Sequence, residues 1–340
     1  MIKQTTANKL GEIKFRSQIV NQQTQNIKLF ENEPTLPQFK KIIKPKLKET
    51  EKKFRALQKN GVKLSPYLEI GSEHCLRPMI LENNFKVHGI ASDISIYSLK
   101  STKKYAHIFK FKKLPRRICI DANNLPFKSN SFPFVFIYES LHHFPDPRPV
   151  LEEIYRVLAP GGCLLIGADP IKQQFQIPLW RRPNKLRFWE TALKKILILP
   201  FISQIGKTET EYGIIETAFT VKTWQKSLSI FQKVQTEVEI YPFGIVEKNE
   251  NFNPSPLTKL GLFFLGGGIH AVCFKEGNLE NLQSIGLICP NCLQKQNKEI
   301  LLIKQKSHLV CKNCAITYGK FKNILTLLEK DLLEEIVKLK

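Results

Sequence analysis

Short apolar runs separated by amphipathic stretches pattern the middle of the chain. "SPYLEIG" is an apolar run ended by Gly71 and predicts a buried strand. "CLRPMILENN" follows as a helix with Pro78 in its first turn. "KVHGIASDIS" and "RRICIDA" predict a second and a third strand, each ending in an acid, Asp93 and Asp121. "FPFVFIYES" reads as a fourth, aromatic and β-branched strand. "RPVLEEIYRVL" sets Val150, Leu151, Ile154, Val157 and Leu158 on one helical face, "APGG" stops that helix, and "CLLIGAD" is a fifth strand. Strands alternating with helices pair in parallel, with helices on both faces. The expected fold is α/β, a Rossmann-like doubly wound, mostly parallel sheet, whose ligands bind at the carboxyl ends of the strands where their order reverses.

The flanks differ. Residues 1–48 are polar and lysine-rich, so residues 1–50 are expected to be a basic N-terminal arm, partly ordered at best, ahead of a body at 51–278. The formal net charge is +22, concentrated in residues 1–60 (14 Lys/Arg against 5 Asp/Glu) and 100–117 (8 Lys/Arg, no acid). Such a surface attracts RNA, anionic headgroups or a phosphorylated substrate, although 42 of the 52 basic residues are Lys and a compositional bias also produces that. The N-terminus has no apolar run of a secretory signal, and "ILILPFI" and "GLFFLGGGIHAVCF" fall short of the roughly 20 residues a membrane span needs. A cytoplasmic protein is expected.

The polar residues of interest gather at the expected strand ends: Glu69 and Gly71, Asp93, Asp121, Glu139 and Ser140. An acid after the second strand can accept from both ribose hydroxyls of a nucleoside. One after the third can accept from an adenine amine while the Ala122 N–H meets a ring nitrogen.

In their order and spacing, "YLEIG", "DIS", "DANNLPFKSNSF", "YESLHHFPDP" and "EEIYRVLAPGGCLLI" make residues 62–275 resemble a class I S-adenosylmethionine-dependent methyltransferase. The resemblance is to the group acting on small-molecule, glycan or lipid-type acceptors. It implies S-adenosyl-L-methionine as cofactor, with Glu69, Gly71, Ser72 and Glu73 at its methionine part, Asp93 and Ile94 at the ribose, and Asp121 and Ala122 at the adenine. It sets Glu139, Ser140 and Leu141 at the opening where an oxygen or nitrogen acceptor meets the methyl group. His142, His143 and Glu139 are the candidate bases for the acceptor's proton.

Two places depart from the family pattern. Glu73 and Cys75 stand where the turn after Gly71 usually carries glycines that let backbone approach the ligand. Pro133 stands where an aspartate is usual. They motivate a rival reading, a lapsed enzyme kept as a scaffold, and the charge motivates another, an RNA methyltransferase. Tyr212, Glu216, Phe219 and Trp224, in a segment (208–227) where the family builds substrate lids, are candidate acceptor-pocket residues, or an amphipathic helix on the sheet. "RPNKLRFWE" (182–190) either faces an anionic acceptor or caps the domain.

Cysteine usage adds a module. Cys289 and Cys292, then Cys311 and Cys314, form two CxxC pairs 18 residues apart, the spacing of a four-thiolate structural Zn2+ site. "KEILLIKQKSHLV" between them alternates like a β-hairpin. Residues 283–340 are therefore expected to be a zinc ribbon closed by an amphipathic helix, "LEKDLLEEIVKLK", similar to ribbons that occur as activator subunits of methyltransferases or fused to them.

Overall fold

The computed structural model describes residues 4–25, 30, 34–177, 179–182, 186–205, 212–279, 282 and 284–338. Five strands, β1 (Tyr67–Ile70), β2 (Gly89–Asp93), β3 (Arg116–Ile120), β4 (Phe132–Tyr138) and β5 (Leu158–Ile171), run parallel in the spatial order β3-β2-β1-β4-β5. The order reverses between β1 and β4. Side chains alternate across the sheet and feed two cores. Leu68, Ile70, Ile118, Ile120, Val135 and Ile137 belong to one, together with Val150, Leu151, Ile154 and Val157 of the helix Arg148–Val157. Tyr67, Ala91, Cys119, Phe134 and Phe136 face the other, under the helices Leu76–Ile80 and Ile96–Phe109. The α/β, doubly wound, mostly parallel sheet expected from the pattern is the observed one.

Pro133 costs the sheet little. It lies where the β4–β5 register shifts, between Phe132 and Phe134, and β5 accommodates the shift in "APGG". That stretch belongs to the strand rather than to a turn ahead of it. A residue without an N–H fits such an irregularity. Beyond β5 the sheet continues antiparallel through β10 (Gly267–Phe274), β8 (Lys233–Ile240) and β9 (Gly244–Glu250).

The N-terminal arm is corrected. Residues Thr6–Gln25 form helix α1, and Leu36–Lys59 form α2, which runs without a break through the boundary expected at residue 50. Phe39, Ile43, Leu47, Phe54 and Leu57 are buried along one face of α2 at steps of three, four and seven. Each such side chain contributes roughly 1.5–3 kcal/mol, so the lysines between them decorate a helix that the apolar stripe holds in place.

The C-terminal segment is also not a separate lobe. Its hairpin, β11 (Leu302–Gln305) with β12 (His308–Cys311), forms as expected. After β13 (Thr317–Tyr318), β14 (Lys320–Phe321) and β15 (Ile324–Leu327) join the main sheet, β15 lying parallel to β3 with Leu325 opposite Ile118. The closing helix Lys330–Lys338 buries Leu332 and Ile336 in the core shared with α2. Among the described residues no helix is long and apolar enough to cross a membrane.

Candidate functional site

A cavity of about 260 Å³ opens at the carboxyl ends of β1 to β4, at the reversal of strand order. Gly71, Glu73, Asp93, Ile94, Asp121, Ala122, Glu139, Ser140 and His143 line it. Glu69, Ser72 and His142 do not; they sit just behind its wall.

The turn after β1 keeps its path without the usual glycines. Gly71 has φ +68°, and a Cβ there would stand 2.4 Å from Ser140 Oγ, so only glycine fits. Glu73 (φ +48°) and Cys75 (φ +60°) adopt the left-handed conformation despite their side chains, at about 1–2 kcal/mol each. Their backbones are fixed by bonds from Ser72 N–H to Ser92 O (2.8 Å) and Cys75 N–H to Ser72 O (2.7 Å). Cys75 turns its thiol into the core, where Thr102 Oγ1 donates to it at 3.3 Å. Glu73 points into the cavity.

Asp93 anchors this turn. Its Oδ2 accepts from Glu73 N–H at 2.8 Å and its Oδ1 from Ser95 N–H at 2.7 Å. Burial pushes its carboxyl up to about 6, against the pull of those two N–H groups. Behind the wall, burial pushes the Glu69 carboxyl up to about 8, opposed by Arg77 and Ser72, and its Oε2 has no hydrogen bond. Asp121 Oδ1 accepts from the Asn123 N–H and side-chain amide at 2.9 and 3.1 Å, whereas its buried Oδ2 makes no hydrogen bond.

The roof over the cavity went unrecognised in the sequence. It consists of α1 and α2, which supply Glu12, Arg16, Phe39, Ile42, Ile43 and Lys46. Each helix sets cations against the acids below. Lys9 Nζ lies 2.5 Å from Asp121 Oδ2, off the hydrogen-bonding direction, and 3.7 Å from Glu329. Arg16 lies 3.4 Å from Glu73 Oε1, and Lys46 pairs with Glu139, which Arg77 also reaches at 3.3 Å. Burial raises the Glu73 carboxyl, yet His74, Arg16 and Arg77 together hold it below the usual carboxylate range. The missed signal was the stripe Phe39, Ile43, Leu47, Phe54, Leu57 inside a lysine-rich run.

Of the candidate bases, Glu139 is held between two cations, Lys46 and Arg77. His142 Nδ1 lies 2.9 Å from the buried Asp169 carboxylate, which fixes the ring's orientation. His143 Nδ1 lies 3.2 Å from Glu216 Oε1, and its Nε2 lies 3.4 Å from Arg16. Burial disfavours the His143 cation, but Glu12 and Glu216 outweigh it and raise its pKa.

Glu216 is the one expected acceptor-pocket residue at the site. Tyr212 packs on Phe15 and Phe30 against α1, while Phe219 and Trp224 are core residues. Residues 208–211 and 183–185, parts of the two segments singled out in the sequence, lie outside the described residues.

The four cysteines of the two CxxC pairs converge. Cys289 and Cys314 Sγ are 3.6 Å apart, as are Cys292 and Cys311 Sγ, and all four lie within 4.8 Å of one another. A tetrahedral ion with bonds of about 2.3 Å holds sulfurs about 3.8 Å apart, so the donor set fits Zn2+. The first knuckle also braces the loop after β3: Asn124 Nδ2 donates to Pro290 O at 2.7 Å, and Ile288 N–H to Pro126 O at 3.0 Å.

Comparison with known proteins gives a consistent picture. Residues 68–166 match the family described as a methyltransferase domain. A demethylmenaquinone methyltransferase from Staphylococcus haemolyticus is 35% identical over 143 residues, 41% of this chain and 56% of that protein. One from Paenarthrobacter aurescens is 38% identical over 94 residues, 27% of this chain and 33% of that protein. A malonyl-[acyl-carrier protein] O-methyltransferase from Alcanivorax borkumensis is 51% identical over 68 residues, 20% and 23% of the two chains. The chain thus spans between about a quarter and just over half of the length of these relatives. A SAM-dependent methyltransferase structure from Methanosarcina mazei superposes with a TM-score of 0.40 at 16% identity, covering 64% of this chain and 97% of that one. The similarity to a methyltransferase domain falls on the segment that builds β1 to β5 and the floor of the cavity.

Proposed function

We propose that the chain is an S-adenosylmethionine-dependent methyltransferase acting on an oxygen or nitrogen atom of a small or lipid-type acceptor, with structural zinc in the four-cysteine site. The observation that carries this reading is the convergence of Asp93 and Asp121, the acids at the ends of β2 and β3, with Gly71 on one cavity at the reversal of strand order. Asp121 Oδ2, which faces the Lys9 ammonium in the ligand-free chain, is the acceptor for an adenine amine once that ammonium moves aside. The lining also fits a cofactor with two positive groups and one negative. Glu12, Glu73, Asp93, Asp121 and Glu139 face Arg16, Lys46 and Arg77, five carboxylates against three cations.

When bound, S-adenosylmethionine supplies an activated methyl group on its sulfonium. The chain's part is alignment. Asp93 accepts from the ribose hydroxyls, Asp121 and the Ala122 N–H hold the adenine, and the glycine backbone of Gly71 permits close approach. Arg77 and Lys46 hold the Glu139 carboxylate in place at the mouth. His143, steered by Glu216, takes the acceptor's proton, and Asp169 orients His142 beside it. Lipid-type acceptors are favoured because relatives of the β1–β5 segment carry the names of enzymes acting on demethylmenaquinone and malonyl-[acyl-carrier protein].

RNA as the acceptor has one observation in its favour, a groove lined by Arg116, Arg117, Lys304, His308 and Lys320 between the hairpin and the sheet edge. It is remote from the cavity mouth, which shares none of those residues.

Calorimetry with S-adenosylmethionine and its demethylated product tests the main reading. Low-micromolar binding that disappears in Asp93→Ala is expected. No heat at millimolar ligand overturns the reading in favour of a scaffold.

A further inference from the structure

The described residues expose large apolar side chains unevenly. Of the 17 that stand exposed, 14 fall between Phe175 and Phe264. Phe188 is 89% exposed, Leu257 79%, Leu179 70% and Phe243 64%. An ordinary globular surface scatters such residues singly.

These residues form one connected face. The irregular segment following β5 runs along the helix Pro256–Leu265, with the N–H groups of Gln174 and Phe175 both donating to Phe263 O at 3.0 and 2.9 Å. It then runs along the helix Leu199–Ile202: Ile177 N–H donates to Phe201 O and Leu179 N–H to Ile202 O, both at 2.7 Å. Phe175 stacks against Phe201, Phe263 and Phe264 at 5.3–6.3 Å. The turn after β8 joins through Tyr241 N–H to Gly266 O at 3.4 Å. Trp180 and Trp189 pack together at 5.5 Å next to the exposed Phe188.

The topology sets this face beside the cavity. β5 is parallel to β4 and ends at Ile171, while β10 is antiparallel and starts at Gly267 beside it. β8 ends at Ile240, paired with Gly267. All three termini therefore lie at the end of the sheet that carries the cavity. Asp169, which holds His142, is three residues before the exposed segment begins at Lys172.

Charge selects the occupant. Residues 172–205 contain seven Lys/Arg and one acid, Glu190. That acid is buried and accepts from the Arg187 N–H. Lys172, Lys194 and Lys195 are exposed and enter no ion pair among the described residues. A second copy of the chain would bring a like-charged rim against this one, and protein interface cores are depleted of Lys. Aromatic and aliphatic side chains rimmed by Lys and Arg match instead the boundary between acyl chains and anionic headgroups.

We propose that this face is an interfacial docking surface for a bilayer containing anionic lipid. It deepens the functional reading above and rests on it in one respect: a docked face would present the mouth of the cavity to an acceptor dissolved in the membrane.

Sedimentation of the full chain with vesicles tests the proposal without cofactor or acceptor, so its outcome is independent of methyl transfer. Vesicles of phosphatidylcholine with phosphatidylglycerol are expected to carry the protein down, and phosphatidylcholine alone to do so at least about tenfold less well. The variant Leu179→Ser/Phe188→Ser/Phe243→Ser/Leu257→Ser changes only exposed positions. It is expected to lose at least about tenfold in partitioning while keeping its thermal transition and its calorimetric response to S-adenosylmethionine. A wild-type protein that stays in the supernatant overturns the proposal. So does equal binding by the quadruple variant, or a concentration-dependent dimer that the variant abolishes while vesicles remain bare. A protein that docks on vesicles but gives no heat with S-adenosylmethionine keeps the surface and overturns the enzyme.

Discussion

The contact between Lys9 and Asp121 makes the sharpest test of how the roof and the cofactor share one site. Lys9 is 6% exposed and Asp121 2%, so the pair is effectively desolvated. At 2.5 Å and an effective dielectric of about 20, the gross attraction is about 7 kcal/mol, and Glu329 at 3.7 Å adds about 4. Burial of the ammonium opposes this, but the two acids prevail and the Lys9 pKa is raised. Removing one partner of a buried pair typically costs about 3–5 kcal/mol. Lys9→Met is therefore expected to lower the unfolding free energy of the ligand-free chain by that amount in denaturant titrations. It also frees Asp121 Oδ2 for the adenine amine, which in the wild type must push the ammonium toward Glu329. A hydrogen bond to a charged acceptor is worth about 1.5–3 kcal/mol, so S-adenosylmethionine is expected to bind the variant roughly 10- to 150-fold more tightly by calorimetry. Saturating cofactor then recovers much of the lost stability. Unchanged or weaker binding by Lys9→Met refutes the competition and makes Lys9 a support or a direct contact of the ligand.

Two further outcomes are expected. Cofactor affinity should rise as pH increases through about 6, because ribose hydroxyls donate to the ionised form of Asp93 and burial holds that carboxyl at about 6 in the free site; calorimetry in buffers of different ionisation enthalpy should show proton release near that pH, and a flat profile from 5 to 8 contradicts it. The same raised values for Asp93 and Glu69 mean that the folded chain holds protons the unfolded one has already lost, so ligand-free stability falls as pH rises from about 4 toward 8. Chelating the metal from the cysteine site should weaken cofactor binding by up to about 30-fold, since the two hydrogen bonds from the knuckle to the Asn124 and Pro126 loop are worth about 1 kcal/mol each; intact affinity in metal-free protein whose absorbance shows no residual thiolate coordination uncouples the two sites.

The parallel strands were legible in the sequence because strands covered on both faces read as unbroken apolar runs, as "YLEIG" and "FPFVFIYES" do. The acids at their ends follow from that placement, and Asp93, Asp121 and Glu139 do meet at one cavity. The left-handed path through Glu73 and Cys75 was not legible, because its support comes from Ser92 and Asp93, on the neighbouring strand in space but about twenty residues away in sequence. The roof escaped because eight lysines are interleaved with the apolar residues of α2 and mask their helical step. The merging of the C-terminal segment into the sheet was hidden for a simpler reason: four residues, Ile324–Leu327, are too few to announce which edge they will extend.

That last feature governs how the chain can fold during synthesis. β3 contributes Asp121 from its end, yet its outer neighbour β15 pairs Leu325 with Ile118, 207 positions earlier (325 − 118). Until the ribosome has made that stretch, β3 is an open parallel edge with unpaired N–H and C=O groups. A nascent chain with β1 to β5 already formed is thus a sticky intermediate, and closing so long a loop is slow compared with pairing neighbouring strands. Premature termination ahead of Ile324 would release a sheet with that edge still exposed, a substrate for chaperones and proteases rather than a smaller working protein.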